Sequence, residues 1–439
     1  MQITEKIIAQ AEALQPEMVA QRRDFHKYAE SGWFEMRTTS IIARKLTELG
    51  YEVLTGEDVC DRDARMGVAD EATLEAQYER AVDQGADPEF VQATRGGMTG
   101  VIGILRCGEG PTVALRFDID ALGVIESQDA GHRPFAEGWS SVNSGMMHAC
   151  GHDGHATVGL GVAKVLMDIK EHLCGTVKLI FQPAEEGVRG AKSIVAKGHL
   201  QGVDYLLGTH VTGNGKKPDC MACPGAKDSL ATSKYDVIFH GKSAHAGGSP
   251  NGGNNAMLAA ATAVLNLQAI PRHGGGATRI NVGKLVAGSG RNVICDEAFM
   301  EIETRGATTE LNTYVENYAL RILENAAAMH GCTVEYKLMG AAESLTSDVS
   351  LAQRLRKVWE AAGFPLTEED MMIAGGSEDF SYMMNAVQQQ GGQATFFRTL
   401  TKLSAGAHNR RFDFDEVFLQ NGVKLFCTAV YDLLKTTNT

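Results

Sequence analysis

Apolar positions near the start of the chain fall at helical spacing. Ile7, Ile8, Ala11, Leu14, Met18 and Phe25 share one helical face, which predicts helix within residues 3–30. A second helix fits residues 38–49, stopped by Gly50. Short apolar runs then predict strands at 100–105, 112–117, 176–181 and 205–209, with a helix over 156–169 between two of them. Strands alternating with helices imply an α/β layer with a mostly parallel sheet, whose ligands gather off the carboxyl ends of the strands.

Residues 229–338 have a different rhythm. Strand (229–240), helix (254–269), strand (279–286), strand (298–304), helix (309–330) and strand (332–338) follow in turn. That is the βαββαβ order of a ferredoxin-like unit. It is read as an inserted domain over 227–340. Residues 1–226 and 341–439 then form one discontinuous domain, with a helix over 350–363 after the insertion.

A length of 439 residues accommodates this two-domain plan. The net charge of −13, with no basic domain, argues against nucleic acid as a partner. More than half of that charge, −7, lies in an acidic insertion at 57–95, read as a solvated surface or as a cap or docking surface. The longest apolar stretch, 256–270, is interrupted by Asn266 and Gln268 and is too short to span a bilayer. The first residues lack the basic and apolar regions of a secretory signal. Nine cysteines without regular spacing read as reduced thiols of a cytoplasmic protein.

Candidate chemistry concentrates at strand ends. MHACGHDGH, ending at His155, packs three histidines, Cys150 and Asp153 together. Cys150 and His152 are two apart, so on an extended segment a thiolate and an imidazole face one side, half of a metal site. A Cys–His nucleophile pair is the rival chemistry. FQPAEEG places Glu185 and Glu186 just after a strand closed by Pro183. Adjacent carboxylates project differently, so one suits a metal and the other a water beside it. His210 closes another strand and His408 lies in the loop AGAHN. Cys150, His152, Glu186, His210 and His408 together exceed the needs of one zinc ion, which points to two metals sharing a thiolate. Cys220 and Cys223 lack a second pair, the glycine runs at 274–283 and 288–290 lack a phosphate-loop Lys-Ser/Thr, and His26 reads as a structural helix residue.

ALRFDIDAL, MHACGHDGH, FQPAEEG, SAHAG, GGSEDF and AGAHN together resemble the aminoacylase/carboxypeptidase-type di-metal amidohydrolases, in the hippurate- and auxin-conjugate-hydrolase branch. RRDFHKYAESGW, RNV and ETRGA strengthen the likeness, which spans nearly the whole chain. The resemblance implies metal-dependent hydrolysis of N-acyl or N-aroyl amino acids, with p-aminobenzoyl-glutamate foremost. It implies Glu185 as general base and then acid, Cys150 as bridging ligand, and His152, Glu186, His210 and His408 completing the metal shells. Distant relatives carry a ligand in a His-x-Asp motif. Here that position reads Arg116-Phe117-Asp118, which leaves Asp118 to orient a ligand. The inserted domain resembles a dimerisation domain, whose His245 would reach a neighbouring subunit's site and stabilise the oxyanion. Asn292 and Arg305 resemble residues that hold the substrate carboxylate. The resemblance favours Mn²⁺, where thiolate and imidazole alone would suit Zn²⁺. It implies a homodimer, or a heterodimer with a related subunit. The rival reading is a non-catalytic chain that mainly supports its partner's site.

Overall fold

The computed structural model describes residues 2–215, 217 and 219–436. In chain order the strands are β1 (Glu52–Thr55), β2 (Val101–Arg106), β3 (Thr112–Asp118), β4 (Thr176–Gln182), β5 (Tyr205–Gly213), β6 (Ala222–Cys223), β7 (Gly225–Lys227), β8 (Ala231–His240), β9 (Thr278–Ala287), β10 (Glu297–Gly306), β11 (Thr333–Ala342), β12 (Met371–Ile373) and β13 (Gln393–Thr401). The chain divides into two compact units. The first is Met1–Lys227, Leu345–Ala374 and Asp379–Thr439; the second is Asp228–Ser344 with Gly375–Glu378.

The first unit is built on a seven-stranded sheet in the order β1-β2-β4-β3-β5-β13-β6. Its centre, β4-β3-β5-β13, is parallel, while β1–β2, β2–β4 and β13–β6 are antiparallel. The sheet is mixed: β1 runs with the four central strands, and β2 and β6 run against them. An apolar run reports depth and not direction: β2 is as buried as β3, yet runs against its neighbours. The helix His152–Asp168 supplies the crossover between the parallel strands β3 and β4. It packs close to the sheet because Gly159 has no side chain; a Cβ there would lie 2.5 Å from the Phe181 ring. Phe117, Phe181, Phe397 and Phe426 centre the core on this face, and Ile180, Leu206, Phe380 and Phe396 centre the core on the other.

The acidic stretch at 57–95 is anchored to this unit. Leu74, Tyr78, Ala81 and Val91 pack with Met36 into a small core of their own. Arg44 pairs with Asp87 and Glu89, and the Trp33 indole donates to the Met66 carbonyl at 2.7 Å. The stretch is thus a packed element whose acidic side chains are partly neutralised locally.

The second unit is an antiparallel sheet in the order β11-β8-β10-β9. Helices Ala256–Gln268 and Thr309–Met329 cover one face through small residues, among them Ala259, Ala263, Ala319 and Ala326. The strand and helix order is βαββαβ. β9 is an edge strand, with Leu285 and Val286 exposed, and Met257, Leu258 and Leu265 are exposed on the first helix. None of the helices in the described residues is long and apolar enough to cross a membrane.

Candidate metal centre

The ends of the parallel strands bring five donor residues together within the first unit. Cys150 and His152 flank Gly151, whose φ of +89° turns the chain into the helix that begins at His152. A Cβ at Gly151 would meet Val211 at 2.6 Å, so glycine is required both by the turn and by the close approach of β5. His210 lies on β5, Glu185 and Glu186 lie in the loop after β4, and His408 lies in the loop after β13. The His408 N–H donates to the Ala149 carbonyl at 2.7 Å, which ties that loop to the Cys150 segment.

Two groups of donor atoms share the Cys150 sulfur. Cys150, His152 and His210 form one, and Cys150, Glu186 and His408 form the other, with all ligand atoms of each group within 4.8 Å of one another. The Cys150 Sγ to His210 Nε2 distance is 3.3 Å, and His408 Nε2 lies 3.6 Å from Glu186 Oε2. Glu185 Oε2 and Glu186 Oε1 lie 4.0 and 3.9 Å from His152 Nε2.

The imidazoles are oriented as a cation would need them. His210 Nδ1 donates to the Val211 carbonyl at 2.7 Å, leaving the Nε2 lone pair toward Cys150. His152 Nδ1 faces Asp120 at 3.3 Å, which directs Nε2 at Glu185 and Glu186. His152 Nε2 and Glu186 Oε1 are buried and make no hydrogen bond. Two buried lone-pair donors without a hydrogen bond, beside a thiol and a second carboxylate, are the donor set a divalent cation satisfies.

The electrostatics agree. Burial, reinforced by Asp120, pushes the Glu186 carboxyl up to about 7. Burial and then Glu186 push the Cys150 thiol up. Burial and the neighbouring His155 hold the His210 imidazole well below its usual range, so it stays neutral. Although burial opposes the charge, Asp118 and Asp120 raise the His152 imidazole well above its ordinary value. The cavity crowds acids against one another and favours positive charge within it.

Around the donors lies a set of buried acids that the sequence did not single out by role. Asp120 accepts the backbone N–H groups of Glu185 at 3.0 Å and Glu186 at 2.9 Å, besides facing His152. Glu35 accepts the Ala184 N–H at 2.7 Å and the Thr99 hydroxyl at 2.8 Å. Asp379 accepts the N–H groups of Gly190 and Ala191 at 3.0 and 2.9 Å. Three carboxylates from distant parts of the chain thus strap the loop that carries Glu185 and Glu186. That loop holds Ala184 and Val188 at φ of +51° and +62°, backbone that non-glycine residues seldom adopt.

Asp118 lies beside the donors, between His155 and Arg116. Its carboxylate hydrogen-bonds His155 Nδ1 and receives Arg116 Nη1 at 2.6 Å, while His152 Nε2 is 3.8 Å away. The contact to His152 Nδ1 falls on Asp120, two residues on. His155 Nε2 accepts the Val211 N–H at 2.9 Å, so both its nitrogens are engaged within the protein. His148 is buried outside both groups, and burial lowers it to about 4. Of the three clustered histidines, His152 alone reaches both carboxylates.

Behind the centre, Arg22 is fully buried and joins Asp153 at 3.0 Å, Asp413 at 2.7 Å and Glu416 at 3.2 Å. It links the helix that opens at His152 to the segment that follows His408. His26, one turn on, contacts Asp153 at 2.9 Å and Glu126 at 3.0 Å through its two nitrogens. Both partners are acceptors, and despite burial they raise His26 to about 9.

His245, Asn292 and Arg305 lie in the second unit. The His245 Nδ1 accepts the N–H groups of Gly247 at 3.1 Å and Gly248 at 3.0 Å, which leaves Nε2 as the donor on an exposed ring. The Ala246 N–H donates to the Asn292 carbonyl at 2.9 Å, placing Asn292 beside it. Arg305 lies on β10 in a bidentate pair with Glu303, at 3.0 and 2.9 Å. All nine cysteines are free, and Cys220 and Cys223 donate to backbone carbonyls.

The sequence profile of peptidase family M20/M25/M40 matches residues 114–432. The indole-3-acetyl-aspartic acid hydrolase of Enterobacter agglomerans is 48% identical, over 92% of each chain. One of the subunits of the p-aminobenzoyl-glutamate hydrolase of Escherichia coli K12 is 46% identical, over 94% of each chain. The crystal structure of the aminobenzoyl-glutamate utilization protein from Klebsiella pneumoniae superposes with a TM-score of 0.84, at 38% identity and 98% coverage of both chains.

Proposed function

The chain belongs to peptidase family M20/M25/M40, and from that premise we propose a two-metal amidohydrolase that cleaves N-acyl and N-aroyl amino acids. The leading substrate is p-aminobenzoyl-glutamate, yielding p-aminobenzoate and glutamate. The observation that carries the reading is the sharing of one sulfur, Cys150, by two donor groups.

In this reading Cys150, His152 and His210 would hold one ion, and Cys150, Glu186 and His408 would hold the other. Divalent cations bound there supply Lewis acidity to the amide carbonyl and lower the pKa of water. Mn²⁺ is preferred over Zn²⁺ on the likeness to the hydrolase branch alone, because thiolate and imidazole donors by themselves would suit Zn²⁺. Glu185, whose backbone is fixed by Asp120, accepts the proton of the attacking water and returns it to the leaving nitrogen. His245 donates from Nε2 to the oxyanion of a neighbouring subunit's substrate, and Asn292 and Arg305 receive the substrate carboxylate.

A dimer built through the second unit accounts for the exposed edge of β9 and for Met257, Leu258 and Leu265 on the adjoining helix. Its partner is a second copy or a related subunit. The unpaired thiols suit the cytoplasm. The insertion at 227–340 then serves dimerisation, and 1–226 with 341–439 carries catalysis.

Two assays on the purified lone chain test the proposal. Metal analysis with a panel of N-acyl amino acids should give about two ions per chain and turnover of p-aminobenzoyl-glutamate. A folded, metal-loaded chain that is inert until a second subunit is added would favour a supporting role instead. For His245, Glu185→Gln and His245→Ala variants should each be inactive and recover activity in mixed dimers. Absence of recovery in verified mixed homodimers would place His245 outside the neighbour's site.

A further inference from the structure

The outward face of the second unit's sheet carries an unusual pair. Arg305 on β10 lies directly opposite Arg279 on β9. Residues in register on antiparallel strands share a face, and like charges there repel. Glu303 is bidentate on Arg305, but Arg279 makes no ion pair among the described residues. Arg279 alternates with the buried Thr278 and Ile280, so its side chain stands on the exposed face and is not needed for the core. Arg272, from the loop after the first helix of this unit, faces the same space. Together with Thr278, Asn281 and Glu303 these arginines line a cavity of about 360 Å³. That is a size that small ligands fill, at the lower end of about 300–1,000 Å³. Three guanidinium groups against one carboxylate leave it cationic in a chain of net charge −13.

We propose that Arg279, with Arg272, receives the substrate's second carboxylate and is the residue that sets preference for a glutamate over a glutamine side chain. The inference rests on the proposed reading that Arg305 receives the substrate's α-carboxylate. Arg305 is partly neutralised by Glu303 and suits one carboxylate. Arg279, its direct neighbour across the strands, then meets the side-chain carboxylate of the same amino acid. A planar guanidinium engages a carboxylate through two parallel hydrogen bonds, and a neutral isostere gives up the charge assistance. Asn281 and Thr278 add uncharged donors to the same cavity.

The test compares p-aminobenzoyl-glutamate with p-aminobenzoyl-glutamine, which differ only in that side-chain charge. The full chain is used, with any required partner subunit. Wild type should favour the glutamate compound by roughly 10–100-fold in kcat/KM, the range of a hydrogen bond to a charged group. Arg279→Met should remove most of that preference by lowering kcat/KM for the glutamate compound far more than for the glutamine compound. Arg279→Glu should reverse it, improving p-aminobenzoyl-lysine relative to p-aminobenzoyl-glutamate. Because Arg279 is exposed on a surface strand, its variants should match wild type in circular dichroism and thermal unfolding. Equal turnover of both compounds by wild type, or equal losses on both in Arg279→Met, would overturn the subsite and leave the amidohydrolase reading intact. A metal-loaded wild type that cleaves neither would overturn both.

Discussion

Glu35 and Ala184 meet at 2.7 Å: a carboxylate buried near the start of the chain accepts the N–H of a residue held at φ of +51°. Burial, with Asp120 nearby, pushes that carboxyl up to about 8. A glutamine can still accept the N–H through its amide oxygen, whereas an alanine cannot. Glu35→Gln should therefore keep most activity and metal content. Glu35→Ala should lose about 1–3 kcal/mol of stability and a larger share of kcat than of KM. Denaturant melts and steady-state kinetics on the two variants check this; similar behaviour of both would show that the loop holds its shape without Glu35.

Glu185→Gln should retain two ions per chain while kcat falls by roughly 10²–10⁴-fold. Both donor groups that share Cys150 exclude Glu185, so the substitution leaves them whole. Metal analysis alongside kinetics decides the matter. Loss of an ion in parallel with activity would mean that Glu185 is a ligand.

Cys150 sits 3.3 Å from His210, close enough for a nucleophile and its base. Yet burial raises the thiol and lowers the imidazole, the reverse of what forms a reactive thiolate–imidazolium pair. Chelation with EDTA should abolish activity and Mn²⁺ should restore it. Mass spectrometry of the enzyme quenched during turnover should find no acyl group on Cys150; an acyl-thioester there would end the bridging-ligand assignment.

The His26 imidazolium gives a pH signature. Its value rises from the ordinary 6.5 to about 9 in the folded chain. A raised histidine stabilises fully below 6.5, and that contribution disappears as pH climbs through 9. Thermal stability should fall between about pH 6.5 and 9 in wild type, and His26→Gln should flatten that slope. An unchanged slope in the variant would assign the loss to other groups.

Much of the centre is legible because metal donors are chemically conspicuous. Cys150, His152, Glu186, His210 and His408 sit at strand ends or in short motifs, and the fold brings all five to one place. Their supports are less visible. Asp120, Glu35 and Asp379 act on backbone N–H groups that are 65, 149 and 188 or more positions away, a pairing that no local pattern encodes. Asp118 and Asp120 share one motif, and only the path of the chain after β3 assigns Asp120 to His152. The apolar strands reveal the layer but not the reversal of β2 and β6, because burial on both faces looks the same in either direction. His26 is structural as expected from its helix, but its charge depends on Glu126 and Asp153, which the helix pattern cannot show.

The position of Arg22 bears on how the protein is made. Its guanidinium needs Asp413 and Glu416, and the second donor group needs His408, all of which emerge from the ribosome long after Cys150, His152 and His210. At roughly 5–20 residues per second, synthesis of the span from His210 to His408 takes on the order of tens of seconds. During that interval the first donors exist without the second group, and Arg22 has one of its three acidic partners. A nascent chain can therefore assemble only half of the centre, and hydrolytic competence becomes a property of the finished polypeptide.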